Sequence, residues 1–592
     1  MLPVKRARAE VSLRCRADGI VPRGGLAAVL VARNPRRGAK ALAKESCGVD
    51  TALKLDDRDN VAVALKDLDP ATPVQVGAAA SPVSCLITEK IPAKHKFALA
   101  DFSPGDLIYL YGMVVGEVVQ PIRRGGLIAT RNIRHRAGEY SAKRQSVALS
   151  LPDASAWADR SFMGYHRADG QVGTRNYWIV LPLVFCENRN VERMREALED
   201  ELGYGSANRY RQHVRSLIQQ TGHDRTEPQH QPAQPDRVFK NLDGIRFLTH
   251  EGGCGGTRQD AQALCQLLAG YIHHPNVAGA TVLSLGCQHA QAAMLLNELT
   301  ALDPRRSKPV LVFDQQKSGR ESVLMTRALD ETFAALAEAN RAQRTPAPLS
   351  ALTVGLQCGG SDGFSGISAN PTVGYVSDLL VALGGKTILS EFPELHGVEQ
   401  ELVNRCTNDE LAERFRHLMQ TYQARARAVQ SGFEMNPSPG NIQDGLTTDA
   451  IKSAGAARKG GVSSISGVID YPQYATARGL TLQCTPGNDV ESVTAQVGAG
   501  SNLVLFTSGL GTPTGNPIAP VIKISTNSTL AARMDDIIDF DAGQIVTGET
   551  TIAACAQQLL ELSLQVASGE KFTKAEFSRQ HDFIPWKRGV SL

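Results

Sequence analysis

The chain has 592 residues, room for about three to four domains, and its 42% hydrophobic and 21% charged residues match an ordinary globular enzyme. A formal net charge of +3 excludes a chain-wide nucleic-acid footprint. No apolar run reaches membrane-spanning length, and eleven cysteines without a secretory signal predict reduced thiols in the cytosol.

Residues 1–48 carry eleven Lys and Arg against three acids, so residues 1–49 are expected to be a basic, disordered extension. A transit-type segment and a start codon placed too early are the alternatives. Residues 50–135 read as a small β-rich module: Val61–Leu65 and Ile108–Val119 are apolar runs, and Gly105-Asp106 and Gly125-Gly126 are turn signals. Residues 136–160 are polar and aperiodic, as in a linker.

Over 161–350 strand-like runs alternate with helical ones. Strands are predicted at 177–185, 246–249, 280–285 and 310–313, and helices at 191–202, 258–271 and 290–302. Residues 204–240, rich in Gln, His, Arg and Pro, read as an exposed insertion. A second unit, 351–592, repeats the pattern. Its predicted strands are 353–357, 387–390, 463–468, 480–484 and 503–507, and its helices 373–383, 399–428 and 551–567. The fold class expected is α/β: a small β-rich module, then two units with mainly parallel sheets.

Four of the strand-like runs end at a thiol: Trp178–Cys186, Ile245–Cys254, Thr281–Cys287 and Val354–Cys358. Ligands of open α/β sheets sit beyond the carboxyl ends of the strands. Four sulfurs converging there would favour iron or zinc over magnesium or calcium, so Cys186, Cys254, Cys287 and Cys358 are expected as metal ligands. A single cysteine is more often a small packed hydrophobe, and the other seven are read as packing or surface residues. His250 and His289 flank two of the thiols as ligand or base candidates, against the alternative of structural histidines. Asp362 could orient a ligand or hold a hydroxyl; its alternative is turn capping. Arg175 and Lys523 could pair a substrate carboxylate, or simply form ion pairs. Ser361 and Asn441 lie in glycine-rich turns whose backbone N–H groups suit a small, polar, acidic substrate.

Several segments together resemble the altronate/galactarate dehydratase family. They are Gly164-Tyr165-His166-Arg167 through Gly173-Thr174-Arg175-Asn176, Leu285-Gly286-Cys287, Cys358 through Gly366 with Ala369-Asn370-Pro371, Asn436 through Asn441, and Gly511-Thr512-Pro513. Residues 55–65 and 91–96 resemble the family's small SAF-type module, except at Lys94, where the family usually has Gly. Glu391-Phe392-Pro393-Glu394 and the ending 588–592 look more like the altronate branch.

The resemblance implies loss of water from a sugar acid, D-altronate first, to give a 2-keto-3-deoxy acid with divalent iron as cofactor. Mn2+ and an iron–sulfur cluster are the cofactor alternatives. It also implies a homo-oligomer whose partner is a small-molecule substrate, with no nucleic acid and no membrane. The alternatives in function are a galactarate dehydratase, a sulfo-hydroxy-acid lyase, and a non-catalytic sugar-acid binding protein. Leu510, Thr514 and Ile442 stand where some members have Arg, Tyr and Lys, which fits a monocarboxylate better than a dicarboxylate.

Overall fold

Strands that are apolar along their whole length, such as Tyr177–Pro182 and Thr353–Cys358, bury every residue. That is the mark of parallel strands covered on both faces. The computed structural model describes residues 51–77, 82–142, 150–205, 209–221 and 236–589; the basic arm lies outside the described residues.

In the first α/β unit four parallel strands lie in the spatial order Gly244–Phe247, Tyr177–Pro182, Val277–Ser284, Val310–Asp314. Chain order reverses between the second and third of these, so the sheet has a switch point at the ends of Tyr177–Pro182 and Val277–Ser284. Helices Asn188–Glu201, Arg258–His273, Ala292–Leu302 and Glu321–Ala339 accompany it. The second unit carries seven parallel strands in the order Ile465–Asp470, Gly479–Cys484, Lys386–Leu389, Thr353–Cys358, Leu503–Ser508, Val521–Ser525, Phe540–Asp541. Its switch point lies between Thr353–Cys358 and Leu503–Ser508.

The expected architecture is therefore present, with differences at particular elements. Helix Glu321–Ala339 and strands Val521–Ser525 and Phe540–Asp541 were not anticipated. The long helix expected at 399–428 is broken into Glu399–Arg405 and Asp409–Ala428. Asn408 explains the break: its side chain accepts from Leu411 N and caps a new helix. The insertion at 204–240 contains a helix, Arg209–Gln220. Among the described residues no helix is long and apolar enough to cross a membrane.

The small module holds a four-stranded antiparallel sheet (Ala52–Leu53, Val61–Ala64, Lys96–Ala98, Leu127–Ile128), a three-stranded one and a hairpin. It docks on the second unit through Thr448, whose hydroxyl donates to Val115 O at 2.7 Å, and Lys96, whose Nζ donates to Gly445 O at 2.7 Å.

The two α/β units share one apolar core, built from residues such as Leu267, Tyr271, Val493 and Phe506. Helix Arg258–His273 starts at a capping box between Thr257 and Asp260. It then crosses helix Asp489–Gly498 so closely that a Cβ on Gly270 would lie 2.2 Å from Gly498 O. Gly270→Ala should therefore force the helices apart and cost about 1–3 kcal/mol by overpacking. A lowered unfolding midpoint in denaturant checks this, and an unchanged midpoint would refute the close crossing.

Candidate active site

The carboxyl edge of the first sheet brings three of the expected thiols to adjacent strands. Cys186 follows Tyr177–Pro182, Cys254 follows Gly244–Phe247 and Cys287 follows Val277–Ser284. All three are exposed. Beside them opens a cavity of about 700 Å³, lined by Cys254, His250, His289 and Asp260 from this unit and by Tyr471, Glu491 and residues 583–587 from the other. His289 is exposed, and its backbone N donates to Gly253 O at 2.9 Å. Burial pushes the Glu491 carboxyl above its ordinary range.

His250 is not available as ligand or base in this arrangement. Its Nε2 sits 2.9 Å from Pro182 O, and its Nδ1 accepts from Gly252 N at 3.1 Å. Both ring nitrogens are thus spent on backbone, in the neutral tautomer with the proton on Nε2. Burial lowers its pKa to about 4, so the ring stays neutral. It is a structural histidine that fixes the turn before Cys254.

Cys358 does not join the other three thiols, because its strand belongs to the second sheet. It sits instead in a buried set of charges. Lys459 Nζ lies 2.7 Å from Cys358 Sγ and 2.7 Å from Glu391 Oε2. Cys358 Sγ is 3.1 Å from Glu394 Oε2, and Lys452 Nζ is 2.8 Å from Glu394 Oε1. Glu391 holds a left-handed backbone (φ 66°), and Gln357 Nε2 donates to its Oε1 at 2.6 Å. Burial and the neighbouring glutamates push the Cys358 thiol up. Burial also pushes Glu391 upward, against Lys459. For Glu394, burial is outweighed by Lys452 and Lys459, and its pKa falls.

Cys358, Glu391 and Glu394 offer donor atoms within 4.8 Å of one another, a set compatible with a metal. Lys459 already supplies the positive charge among them. The exposed thiols have no such ammonium bonded to them among the described residues, and as soft donors they fit iron.

A third group of expected residues meets at the second sheet's switch point. Asp362 is fully buried against Gly509. Its Oδ1 accepts from Phe364 N and Ser365 Oγ, and its Oδ2 from Thr526 Oγ1, Asn527 Nδ2 and Lys94 Nζ (3.1 Å). Five donors saturate both oxygens, so Asp362 organises the turn and has no lone pair left for a substrate. Asn441 Nδ2 donates to Ser361 O at 2.8 Å and ties the two glycine-rich turns together. Lys94, with φ +74°, reaches from the small module to Asp362 and to Asp444 (2.8 Å).

Three family models together cover most of the chain. The SAF domain of altronate/galactarate dehydratases matches residues 50–136, the second domain of D-galactarate dehydratase/altronate hydrolase 164–340, and the C-terminal domain of D-galactarate/altronate dehydratase 349–591. Altronate dehydratase of Escherichia coli K12 is 32% identical over 540 residues, covering 91% of this chain and 99% of that one. The chain belongs to the altronate/galactarate dehydratase family. Altronate dehydratase of Bacillus subtilis 168 is 30% identical over 544 residues, with 91% and 99% coverage. Galactarate dehydratase (L-threo-forming) of Escherichia coli K12 is 33% identical over 528 residues, with 88% and 93% coverage. The protein is accordingly a hydro-lyase of this family.

Two further expectations change with the geometry. Arg175 is fully buried and pairs Glu576 through Nε (2.7 Å) and Nη2 (3.1 Å), while its Nη1 donates to Thr174 O and Val566 O. Its donors are spent on holding the C-terminal segment, which removes it as a carboxylate binder. Lys523 is also fully buried. Its Nζ finds no hydrogen-bond acceptor among the described residues and lies 3.3 Å from the centroid of the Phe506 ring. Burial lowers its pKa to about 7, against Asp489, Asp539 and Asp582. Lys523 does not line the large cavity.

Sequence reasoning missed Glu391, Glu394, Lys452 and Lys459 as partners of Cys358. The signal was present: two acids just after an apolar strand, and two lysines on either side of the small-residue run 453–457, ahead of Gly460-Gly461. Buried acids and buried lysines need each other.

Lys459→Met tests that network. It leaves Glu391 and Cys358 buried without their cation, which should cost about 3–5 kcal/mol. Glu391 then has a folded-state pKa further above its unfolded value. The stability deficit should therefore be smallest at pH values where that carboxyl is protonated and grow as pH rises. Denaturant unfolding at pH 6 and pH 9 should give the larger loss at pH 9; equal losses would contradict the assignment.

Proposed function

We propose that the protein dehydrates D-altronate to a 2-keto-3-deoxy sugar acid in the cavity between its two α/β units. The observation that carries this reading is the lining of that cavity. It brings an exposed histidine, His289, and a carboxyl with raised pKa, Glu491, to the carboxyl edge that carries the soft thiols. About 700 Å³ is ample for a six-carbon acid. The two altronate dehydratases among the relatives support altronate as the substrate.

The reaction removes the proton α to the carboxylate and expels the 3-hydroxyl. His289 is the group proposed to take the α-proton, since it is an exposed imidazole on the cavity wall, within reach of a bound substrate. Glu491 is proposed to hold a proton for the departing hydroxyl, because its raised pKa keeps it protonated to higher pH than an ordinary glutamic acid. Ferrous iron, proposed to be held by the exposed thiols, supplies Lewis-acid polarisation of substrate oxygens when bound. The reading keeps the expected cytosolic setting and homo-oligomer, the latter measurable by light scattering.

Anaerobic incubation with a panel of sugar acids and ferrous iron should give 2-keto acid from D-altronate. Turnover of galactarate alone, or of a sulfo-hydroxy acid alone, would move the substrate assignment. Absence of product from every acid would favour a binding protein. Chelation under the same conditions should abolish product formation and ferrous iron restore it; full activity in a metal-free sample would sink the iron requirement.

Glu491→Gln should lower kcat by roughly 10²–10⁴-fold. It should also remove the alkaline limb of the rate profile, since the wild-type acid is lost as pH rises through its raised pKa. An unchanged alkaline limb in the variant would assign the proton to another group.

A further inference from the structure

The nine described cysteines divide by position. Six are buried: Cys85, Cys265, Cys358, Cys406, Cys484 and Cys555. The three exposed ones, Cys186, Cys254 and Cys287, all lie at the carboxyl ends of three neighbouring parallel strands. Exposed thiols are an oxidation liability, so their gathering at one sheet edge calls for a ligand. That edge is also the first sheet's switch point, where open α/β sheets bind what they bind.

Backbone geometry draws the three loops together. Phe185 N, next to Cys186, donates to Gly252 O at 3.1 Å. Gly253 O, next to Cys254, accepts from His289 N (2.9 Å) and Ala290 N (3.1 Å), just beyond Cys287. Gly253 has φ +96°, and a Cβ there would lie 2.1 Å from Leu183 O. Only glycine permits so close an approach of the Cys254 loop to the Cys186 loop. Cys254 itself is exposed and lines the large cavity. The Cys287 turn is fixed by buried Gln288, whose Oε1 accepts from Gly286 N and whose Nε2 donates to Ser284 Oγ at 2.7 Å.

The spacing bears on what fits. Three thiolates on one tetrahedral ion, with metal–sulfur bonds of about 2.3 Å, stand roughly 3.8 Å apart. The three sulfurs are not among the described groups whose ligand atoms all lie within 4.8 Å of one another. An iron–sulfur cluster binds each thiolate to a different iron and so spreads its ligands wider.

We propose that Cys186, Cys254 and Cys287 are the three protein ligands of an iron–sulfur cluster at the edge of the large cavity, which Cys254 lines. This rests on the iron-dependent reading above and replaces a lone ferrous ion with a cluster. Cys358, held by Lys459 in the other sheet, is not a fourth ligand.

The test is chemical analysis of the full chain purified and kept without oxygen. Wild type should contain acid-labile sulfide and iron in similar amounts, about three to four of each per chain, with a visible charge-transfer absorption. Cys186→Ser, Cys254→Ser and Cys287→Ser should each lose most of the sulfide and the visible band at near-native melting temperature. Cys358→Ser should keep both, whatever its effect on melting. Iron bound without sulfide, or sulfide retained in all three serine variants, would overturn the proposal. The same samples assayed on sugar acids separate the two readings. Turnover with iron but no sulfide removes the cluster alone, whereas a full cluster with no turnover of any acid removes the dehydratase reading alone.

Discussion

The second α/β unit is organised around one ammonium group. Lys459 Nζ bonds both Cys358 Sγ and Glu391 Oε2 at 2.7 Å, with none of the three side chains more than 1% exposed. Three potentially charged groups in one dry volume are tolerable only if their hydrogen bonds and charges are satisfied together. The surrounding chain is shaped to do this. Glu391 accepts a left-handed backbone so that its carboxylate turns back over strand Thr353–Cys358. Gln357 secures the other carboxylate oxygen and is itself held by Ser492, on helix Asp489–Gly498. The first turn of that helix also carries Glu491 into the large cavity. A displacement of Lys459 would therefore be felt, through Glu391, Gln357 and Ser492, at the helix that closes the cavity from the second unit.

The first unit meets that helix from the other side. Helix Arg258–His273 begins just after the Cys254 loop and packs on Asp489–Gly498 at the Gly270 crossing. One helix pair thus sets the distance between the thiol-bearing edge and Glu491. Both helices are anchored at their start by local contacts, the Thr257–Asp260 capping box and the Asn488 cap.

Much of the fold was legible because it depends on local pattern. Continuous apolar strands alternating with amphipathic helices imply parallel sheets, and glycine-rich turns after strands mark the ligand-bearing edge. What pattern could not give is which sheet a strand joins. Four strand-end thiols looked equivalent along the chain, yet Cys358 is separated from the other three by membership of a second sheet. The histidine and arginine assignments failed for a related reason. His250 and Arg175 are chemically suited to catalysis and binding, but their partners are Pro182 O, Gly252 N, Glu576 and Val566 O. Backbone acceptors carry no residue-type signal, and Glu576 is 401 residues away from Arg175. Helix Asp409–Ala428 starts later than apolar periodicity alone indicates, because the Asn408 side chain caps it there.

Lys94 shows how a departure from family pattern can be structural and electrostatic at once. Its φ of +74° explains why glycine is usual there, and a lysine in that conformation bears a backbone strain of about 1–3 kcal/mol. Something must offset that strain. The compensation is visible in its ammonium, which lies 3.1 Å from buried Asp362 and 2.8 Å from Asp444. Burial pulls the Lys94 pKa down and the two carboxylates more than reverse it, so the ion pairs favour the charged form. The small module thereby places an ammonium in the turn cluster that holds Asp362 and Asp444. These ion pairs run between the module and the second unit's turns, so the module and the turn cluster hold each other in place.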